Sequence, residues 1–360
     1  MEDIKIKEVI TEDLIIGSGV FGLSIANYLS DLKKDVLLVD KSFNPKEASH
    51  YALGRIDPIL GGAGHGNETK PIDVAKISYS AYKKFIGLDK DFKNKIELEI
   101  KPTFHFYENN SEFEVIRKVI NIIDSKKEHF SLESMNISNP DLKFTNQKFD
   151  KKVAKFDGTI FINSKKYREE LFNQFYQNQS QYITDEIKKV NSLSKHVEVV
   201  GNNNIYKAQK VILATGPWTK LIEGVNLKEE IFPSKGQIIK LIDNEKAFTD
   251  YHLHGPCSIV RKKDGLIWVA ATVEDRGFDK EITEDSKNEL LQKAKKIYPN
   301  ISDFEFHSQT ACLRPSIIKD LPYIDKLPNK EIYIASGGDG WGIMMSILVG
   351  EILYKILQKS

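Results

Sequence analysis

The sequence predicts an α/β protein, α+β when the whole chain is counted, in which a parallel, doubly wound sheet is interrupted by a second, mixed sheet. Three observations carry this prediction. A strand, a glycine-rich turn and a helix occupy residues 13–26, and a second apolar strand ends at Asp40. A further apolar strand ends in a glycine turn within residues 208–218. Strand-rich sequence lies between the two ends, as expected for an inserted domain.

The N-terminal turn has the spacing of a dinucleotide-binding fingerprint, Gly17-Ser-Gly19-Val-Phe-Gly22. Gly17 permits the tight turn, Gly19 lets the backbone approach a pyrophosphate, and Gly22 lets the helix pack closely on the strand. Asp40 follows Gly17 by 23 residues (40 − 17), close to the ~20 expected for a carboxylate that binds an adenosine ribose. The strand, the helix and the acidic residue all occur where this fingerprint requires them, so the sequence predicts a Rossmann-type domain.

Composition narrows the class of protein further. The 360 residues are 41% hydrophobic and 29% charged, with 52 basic and 51 acidic residues, so the net charge of +1 gives no field that attracts nucleic acid or an anionic membrane. Two cysteines are too few for a disulfide framework, which favours a cytoplasmic location. The apolar stretch 341–353 is shorter than the ~20 residues of a membrane span and predicts a buried helix. No histidine spacing suggests a metal site.

Hydrophobic periodicity and turn residues predict the order of the remaining elements. The predicted helices and strands are a helix at 71–85, a strand at 104–107, a helix at 111–126, a polar irregular stretch at 125–155, a strand at 156–163, a helix at 164–179, a hairpin at 197–206 and strands at 208–214, 238–241, 258–260 and 266–271.

With these elements in place, the motifs resemble the D-amino-acid oxidase (DAO) superfamily of FAD enzymes, which includes glycine oxidase, sarcosine oxidase and D-amino-acid dehydrogenase. The resemblance covers nearly the whole chain in order. Its most specific parts are residues 271–279 and 312–322, which look closest to glycine oxidase. The family pattern closes with a glycine-rich turn into the last helix, matched here by residues 337–343.

The resemblance implies a discontinuous FAD-binding domain of residues 1–84, 151–222 and 308–360, interrupted by a substrate-binding domain of residues 85–150 and 223–307. It also implies which residues bind the cofactor. The residues that we expect to bind FAD are Gly17, Gly19, Val20, Phe21, Gly22, Asp40, Lys41, Ser49, Ala52, Gly54, Ile187, Ala214, Gly216, Trp218, Cys312, Gly338, Gly340, Trp341, Gly342 and Ile343.

Arg314 is the candidate for binding the substrate. In glycine oxidase the matching arginine of the Leu-Arg-Pro motif holds the amino-acid carboxylate, and a guanidinium suits this role because it makes two parallel bonds to a planar anion. The alternative is a structural ion pair with Asp320 or Asp325. Gly340 and Trp341 are the other catalytic candidates, because in relatives their turn faces the flavin ring.

Cys312 leaves two modes of FAD binding open. Sarcosine oxidases attach FAD through a cysteine at this position, whereas glycine oxidases usually have a small residue there. Attachment requires a reactive thiolate beside the flavin, and a buried, inert cysteine is more common. We therefore expect non-covalent FAD, with covalent attachment through Cys312 as the alternative.

The resemblance implies oxidation of the C–N bond of a small amino acid or secondary amine by hydride transfer to flavin, followed by hydrolysis of the imine. Ser258 replaces a tyrosine of the glycine oxidases, which predicts a different or larger substrate. Strand 265–270 lacks the lysine that assists oxygen reduction in sarcosine oxidases, so the acceptor is oxygen or another molecule. Alternatives are a dehydrogenase, a 2-hydroxy-acid enzyme with His50 or His65 as base, and a non-catalytic flavoprotein subunit. Homo-oligomerisation stays open.

Overall fold

The computed structural model describes residues 7–59, 70–107, 110–125, 130, 132–135, 152–178, 180–248, 250–319, 321–328 and 330–359. The strands are β1 (Lys7–Ile16), β2 (Val36–Asp40), β3 (Arg55–Ile56), β4 (Glu99–Tyr107), β5 (Leu132–Met135), β6 (Lys152–Phe161), β7 (Gln181–Thr184), β8 (Ile187–Ser192), β9 (Val197–Gly201), β10 (Asn204–Leu213), β11 (Phe232–Ile242), β12 (His252–His254), β13 (Ser258–Arg261), β14 (Ile267–Ala270), β15 (Glu305–Ser316), β16 (Tyr323–Lys326) and β17 (Ile332–Ser336). The α-helices are α1 (Val20–Asp31), α2 (Ala48–Tyr51), α3 (Lys70–Gly87), α4 (Lys90–Lys95), α5 (Asn110–Ile123), α6 (Ser164–Gln177), α7 (Glu284–Lys295) and α8 (Gly342–Leu357), and short 3-10 helices span Gly216–Leu221, Pro299–Asp303 and Asp339–Trp341.

The chain divides into two compact units, each built from separate stretches of sequence. The first unit contains Met1–Ala52, Ser164–Ser234 and Leu313–Ser360, and the second contains Leu53–Asn163 and Lys235–Cys312. These boundaries differ from the sequence-based ones, which place residues 53–84, 151–163 and 308–312 with the first unit and residues 223–234 with the second. The physical reason is strand pairing, because β3 and β4 both pair with β6 in the second unit.

The first unit contains a sheet in the order β16-β17-β10-β1-β2-β7. Strands β17, β10, β1, β2 and β7 run parallel, β16 is antiparallel to β17, and the β8–β9 hairpin extends from β10. Every residue of β2 and β17 is buried, as expected for parallel strands covered on both faces. Helix α1 packs against α6 and α8.

The second unit contains a mixed sheet in the order β15-β11-β14-β13-β12-β4-β6-β3, with β5 paired to β6. Strand β12 runs parallel to β4, and the pairs β11–β14, β14–β13, β13–β12, β4–β6, β6–β3 and β5–β6 are antiparallel. One face of the sheet carries Phe104, Leu253 and Ile259, which form an apolar core with Leu290 and Ala294 of α7. This combination of a first sheet with five parallel strands and a mixed second sheet confirms the predicted fold class.

Most predicted elements occur with ends shifted by a few residues. The helix expected at 164–179 is α6, the hairpin expected at 197–206 is β9 with the start of β10, and the strands expected at 238–241, 258–260 and 266–271 are β11, β13 and β14. The stretch 125–155, expected to be irregular, contains β5, which pairs with β6. The polar sequence does not predict this strand, because β5 is ordered by its pairing with β6 and not by an apolar pattern.

The last helix, α8, extends beyond the apolar stretch 341–353 that predicts it. By length and composition alone, the 19-residue segment Asp339–Leu357 meets the requirement for a membrane span, with a mean hydropathy of 1.4 over an 18-residue window. In the structure α8 packs on α1, and Gly350 lies against Tyr28 and Ser24. Its buried residues are Ile343, Met344, Met345, Ser346, Leu348, Val349, Gly350 and Leu353.

Candidate active site

The predicted cofactor residues of the first unit follow the carboxyl ends of its parallel strands. The fingerprint turn begins after β1, residues 214–218 follow β10, residues 337–343 follow β17, and Asp40 closes β2. Because β17, β10, β1 and β2 run parallel, all four ends meet at one edge of the sheet. In open α/β sheets this edge is where ligands bind.

Two glycines of the fingerprint turn are required by the fold itself. Gly17 has a positive φ of 104°, and a Cβ atom there would overlap the carbonyl oxygen of Ala214. A Cβ atom on Gly22 would overlap the carbonyl oxygen of Gly17, so the helix packs directly on the turn. Gly19 differs, because a Cβ atom there would lie 3.4 Å from Ser49 Oγ, an ordinary contact. The fold therefore leaves room at Gly19 for a ligand.

Helix α1 begins at this turn without a side-chain cap. Gly19 is its N-cap residue, and the first turn contains no acidic residue. The N–H of Val20 donates to Ser49 Oγ at 3.2 Å, which fixes Ser49 beside the helix start. The uncapped N–H groups and the positive end of the helix dipole suit a pyrophosphate.

Asp40 is held in place by Ser18 and Ser42. One carboxylate oxygen accepts from the Ser18 N–H at 2.6 Å and from the Ser18 hydroxyl at 3.0 Å, and the other accepts from the Ser42 N–H at 3.2 Å. Asp40 is buried and keeps its carboxylate at the end of β2, where a ribose hydroxyl would donate to it.

Arg168 of α6 binds Ser18, which in turn binds the Asp40 carboxylate, and Arg168 is not among the residues predicted from the sequence. Its Nε donates to Ser18 O at 3.0 Å, its Nη2 donates to Ser18 Oγ at 3.1 Å, and its Nη1 donates to Asn44 Oδ1 at 3.0 Å. Burial lowers the pKa of Arg168, while the Asp40 carboxylate opposes that shift. No sequence signal marks Arg168, because it is 150 residues from Ser18 along the chain.

Lys41 directly follows β2, and its side chain lies over the aromatic ring of Trp218. Lys41 Nζ is 4.3 Å from the centre of the Trp218 ring and 3.6 Å from the Glu47 carboxylate. Gly216 begins the 3-10 helix that carries Trp218, and the Ser336 hydroxyl donates to Gly216 O at 3.1 Å. The turn after β10 is therefore tied to the end of β17.

The glycine-rich turn after β17 packs on the fingerprint turn. A Cβ atom on Gly338 would lie 2.9 Å from the Cα of Gly342 and 3.2 Å from the ring of Phe21. Added Cβ atoms on Gly340 and Gly342 would meet no described atom within 4 Å. The Trp341 N–H donates to Gly338 O at 2.7 Å and shapes the entry to α8.

The strand that carries Arg314 runs along this second turn. Arg314 lies in β15 and is half-buried, and Ser316 follows two residues later on the same side of the strand. The Ser316 hydroxyl donates to Asp339 Oδ1 at 2.8 Å, and Ile317 lies against Gly337. Asp325, the alternative partner proposed for Arg314, lies 3.3 Å from Lys228 Nζ. Arg314 therefore belongs to the first unit, beside the 337–343 turn.

The remaining residues that were predicted to bind FAD are divided between the two units. Ala52 O accepts from the Ser164 hydroxyl at 2.6 Å, Ile187 is buried in the core of the first unit, and Ile343 is buried in α8. Gly54 and Cys312 belong to the second unit, and Cys312 is buried, with 7% of its surface exposed. His65 and Asp320 lie outside the described residues.

Comparison with known families decides the class of protein. The DAO family model, described as FAD dependent oxidoreductase, matches residues 14–356. The chain belongs to the DAO family. This FAD-dependent oxidoreductase carries its cofactor motifs on the first unit, where the open space at Gly19, Gly340 and Gly342 and the uncapped start of α1 fit an FAD molecule. The assignment of individual residues to FAD remains a prediction.

Relatives of the DAO-family protein support a likeness to glycine oxidase. Glycine oxidase from Bacillus licheniformis is 24% identical over 359 residues, which covers 95% of this chain and 91% of that protein. Iminodiacetate oxidase from Chelativorans sp. BNC1 shares the fold with a TM-score of 0.83 at 18% identity, covering 97% of this chain and 96% of that one. L-alpha-glycerophosphate oxidase from Mycoplasma pneumoniae, solved with FAD bound, has a TM-score of 0.83 at 21% identity, covering 97% and 95%.

Proposed function

We propose that this protein oxidises the C–N bond of a small amino acid or secondary amine, with FAD as the acceptor of the hydride. The observation that carries the proposal is the position of Arg314. Its strand is tied to the 337–343 turn by the bond from Ser316 to Asp339, so a guanidinium stands on the strand beside the turn that we assign to the flavin. A guanidinium beside that turn suits a substrate carboxylate.

The residues of the chain then bind the substrate, orient its alpha carbon and stabilise negative charge at the 337–343 turn. Arg314 holds the carboxylate by two parallel charge-assisted bonds, which fixes the alpha carbon. The amine needs no strong base, because a neutral nitrogen lone pair drives hydride loss once the carboxylate is fixed. The start of α8 at Gly342 places the positive end of a helix dipole at the turn, which favours negative charge there. Bound FAD supplies the hydride acceptor.

The test is the visible spectrum of the purified holoenzyme under anaerobic conditions. Glycine, sarcosine, proline, D-amino acids and a 2-hydroxy acid are added one at a time. Bleaching of the oxidised flavin band by an amine supports the proposal and identifies the substrate class. Bleaching by the hydroxy acid alone contradicts amine oxidation, and a flavin that no compound bleaches supports a non-catalytic subunit.

A variant of Arg314 tests its role directly. Arg314→Met is expected to lower kcat/KM for the amine by about 100-fold, because two charge-assisted bonds to the carboxylate are lost. Lys319→Met is the control, because it removes an exposed positive charge five residues away that pairs with Glu229. Equal losses in both variants would contradict carboxylate binding by Arg314.

The same proposal covers the molecule that accepts electrons from the reduced enzyme and the location of the protein in the cell. Reoxidation of the reduced enzyme by air-saturated buffer, compared with a soluble quinone, separates an oxidase from a dehydrogenase. Both cysteines are free in the structure, which supports a cytoplasmic location.

A further inference from the structure

Asp339 has a sterically costly backbone conformation within the glycine-rich turn 337–343. Its φ of 38° lies in the left-handed region, where glycine avoids the cost that a Cβ atom brings. The same turn contains four glycines, and Gly337 also has a positive φ, of 72°. Side-chain-bearing residues in this region concentrate at functional sites. An aspartate at a position where glycine would be unstrained therefore indicates a role for its carboxylate.

This carboxylate is bound through one of its two oxygens. The Ser316 hydroxyl donates to Asp339 Oδ1 at 2.8 Å, and Ser316 is buried in β15. The other oxygen, Oδ2, has no hydrogen-bond or ion-pair partner among the described residues, and Asp339 is exposed. Because a carboxylate only accepts hydrogen bonds, Oδ2 is available to a donor group of a ligand.

The acid does not cap a helix, which is a common role of aspartate before a helix. The 3-10 helix Asp339–Trp341 and α8, which begins at Gly342, both lack a side-chain cap. The carboxylate is bound to strand β15 and not to the N–H groups of these two helices. Its negative charge is therefore not used for capping.

Asp339 and Arg314 bring opposite charges to one part of the first unit. Both belong to its stretch Leu313–Ser360. Arg314 and Ser316 are two residues apart on the same side of β15, so their Cα atoms are separated by roughly 7 Å. Since the carboxylate of Asp339 contacts Ser316, the cation and the anion are close enough for one small molecule to contact both. An α-amino acid carries the complementary pair, a carboxylate and a protonated amine on one carbon.

We propose that Asp339 binds the amine nitrogen of the substrate through Oδ2, and that this bond makes the enzyme prefer an amino acid to the 2-hydroxy acid of the same shape. The inference rests on the proposed function, because it adds a partner for the amine to the arginine assigned to the carboxylate. A protonated amine donates a charge-assisted hydrogen bond to a carboxylate, whereas a hydroxyl donates as a neutral group. The amine then loses one proton to water and keeps another N–H on Oδ2, so the acid orients the nitrogen.

Matched ligand pairs test this preference on the anaerobic holoenzyme. Glycine is compared with glycolate, and each enantiomer of alanine with the same enantiomer of lactate, by titration of the flavin absorption spectrum. Where a ligand reduces the flavin, its Kd comes from the rate of reduction against concentration. The amino acid of a pair is expected to bind about tenfold more tightly or better, the value of one charge-assisted interaction. Equal or tighter binding of the hydroxy acid in every pair would overturn the inference.

Asp339→Asn separates the charge of the side chain from its structural bond. Asparagine also adopts the left-handed region, and its Oδ1 still accepts from Ser316, so the turn is kept. The variant is expected to lose the amino-acid preference by about tenfold or more, mainly through KM, at an unchanged melting temperature of the apoprotein. Asp339→Gly removes the steric cost of the turn and should lose the same preference.

Glu351→Gln is the control for a general charge effect. It also removes one negative charge, from an acid of α8 that pairs with Lys355 at 2.6 Å, and the preference should not change. Ser316→Ala removes the bond that holds Asp339 and is expected to reduce the preference in part. If Asp339→Asn keeps the full preference, or if both charge variants lose it equally, Asp339 does not bind the amine.

Failure of this inference and failure of amine oxidation give different results. If no amine reduces the flavin, tighter binding of the amino acids to the wild type than to Asp339→Asn still supports the amine site. If amines reduce the flavin of Asp339→Asn with the KM of the wild type, amine oxidation stands and the inference is overturned.

Discussion

Arg168 fixes the geometry of residues at the end of β2, where we expect FAD to bind. It makes three hydrogen bonds to Ser18 and Asn44, and Ser18 in turn makes two hydrogen bonds to Asp40. Arg168→Met is expected to weaken FAD binding by about tenfold or more, because Ser18 and the Asp40 carboxylate lose their fixed geometry. Titration of the apoprotein with FAD, followed by flavin fluorescence, measures the change.

The control for this variant lies on the same helix. Lys165→Met also removes one positive charge from α6, but Lys165 is half exposed and makes only a long ion pair of 3.9 Å with Glu169. Its effect on FAD affinity should be within a factor of about two, as for surface pairs. Equal weakening by both variants would indicate a general charge effect and contradict the positioning role of Arg168.

Lys262 gives the stability of the protein a specific pH dependence. Its amine is buried and donates to Leu53 O at 2.9 Å and to Ile162 O at 2.7 Å, and burial lowers its pKa from 10.5 to about 7. Between pH 7 and 10.5 the unfolded chain holds a proton that the folded chain lacks, so this residue makes the free energy of unfolding rise with pH across that window.

Comparison with Lys262→Met isolates this effect from other titrating groups. The free energy of unfolding of the wild type relative to the variant is expected to rise by up to about 1.4 kcal/mol per pH unit above pH 7. Urea unfolding of both proteins at pH 7, 8 and 9 measures it. Parallel pH profiles would show that Lys262 is protonated in the folded protein across this range.

At the scale of elements, some glycines of the two glycine-rich turns are required for packing, and others are expected to leave space for FAD. Gly22→Ala is expected to destabilise the protein by more than about 3 kcal/mol, because its Cβ would overlap Gly17 O. Gly19→Ala is expected to keep the melting temperature of the apoprotein and to lose FAD affinity, because its Cβ contacts only Ser49 Oγ at 3.4 Å. Thermal unfolding of the apoproteins and FAD titration measure the two effects separately.

One outcome would contradict the expected difference between Gly19→Ala and Gly22→Ala. If Gly19→Ala unfolds as readily as Gly22→Ala, both glycines serve packing, and the space at Gly19 is not kept for a ligand. Gly340→Ala extends the test to the second turn, where an added Cβ meets no described atom within 4 Å. Its apoprotein should also keep the melting temperature of the wild type.

Elements differ in how far the sequence determines them. The turn at Gly17–Gly22 and strand β2 were predictable, because glycine spacing and an apolar run are local patterns. The contacts of Arg168 with Ser18 and of Arg55 with His254 join residues 150 and 199 positions apart. No local pattern distinguishes these arginines from surface ones, so only the folded arrangement of strands and helices reveals them.

At the scale of the whole molecule, bound FAD should contribute to stability by mass action. Excess cofactor at about 100 times its Kd stabilises the folded state by about 2.7 kcal/mol if it binds only that state. The melting temperature of the holoenzyme is therefore expected to rise with added FAD. A melting temperature independent of added FAD, after removal of the cofactor, would contradict reversible binding.

The same molecule should release its cofactor completely when it unfolds. Cys312 is only 7% exposed, whereas attachment requires a reactive thiolate that can reach the flavin. Denaturation in guanidinium chloride followed by ultrafiltration is expected to place all yellow colour in the filtrate. Yellow colour kept by the unfolded wild-type chain and lost in Cys312→Ala would establish covalent attachment instead. Because the filtrate reports the bond itself, this outcome is independent of the substrate that the enzyme oxidises.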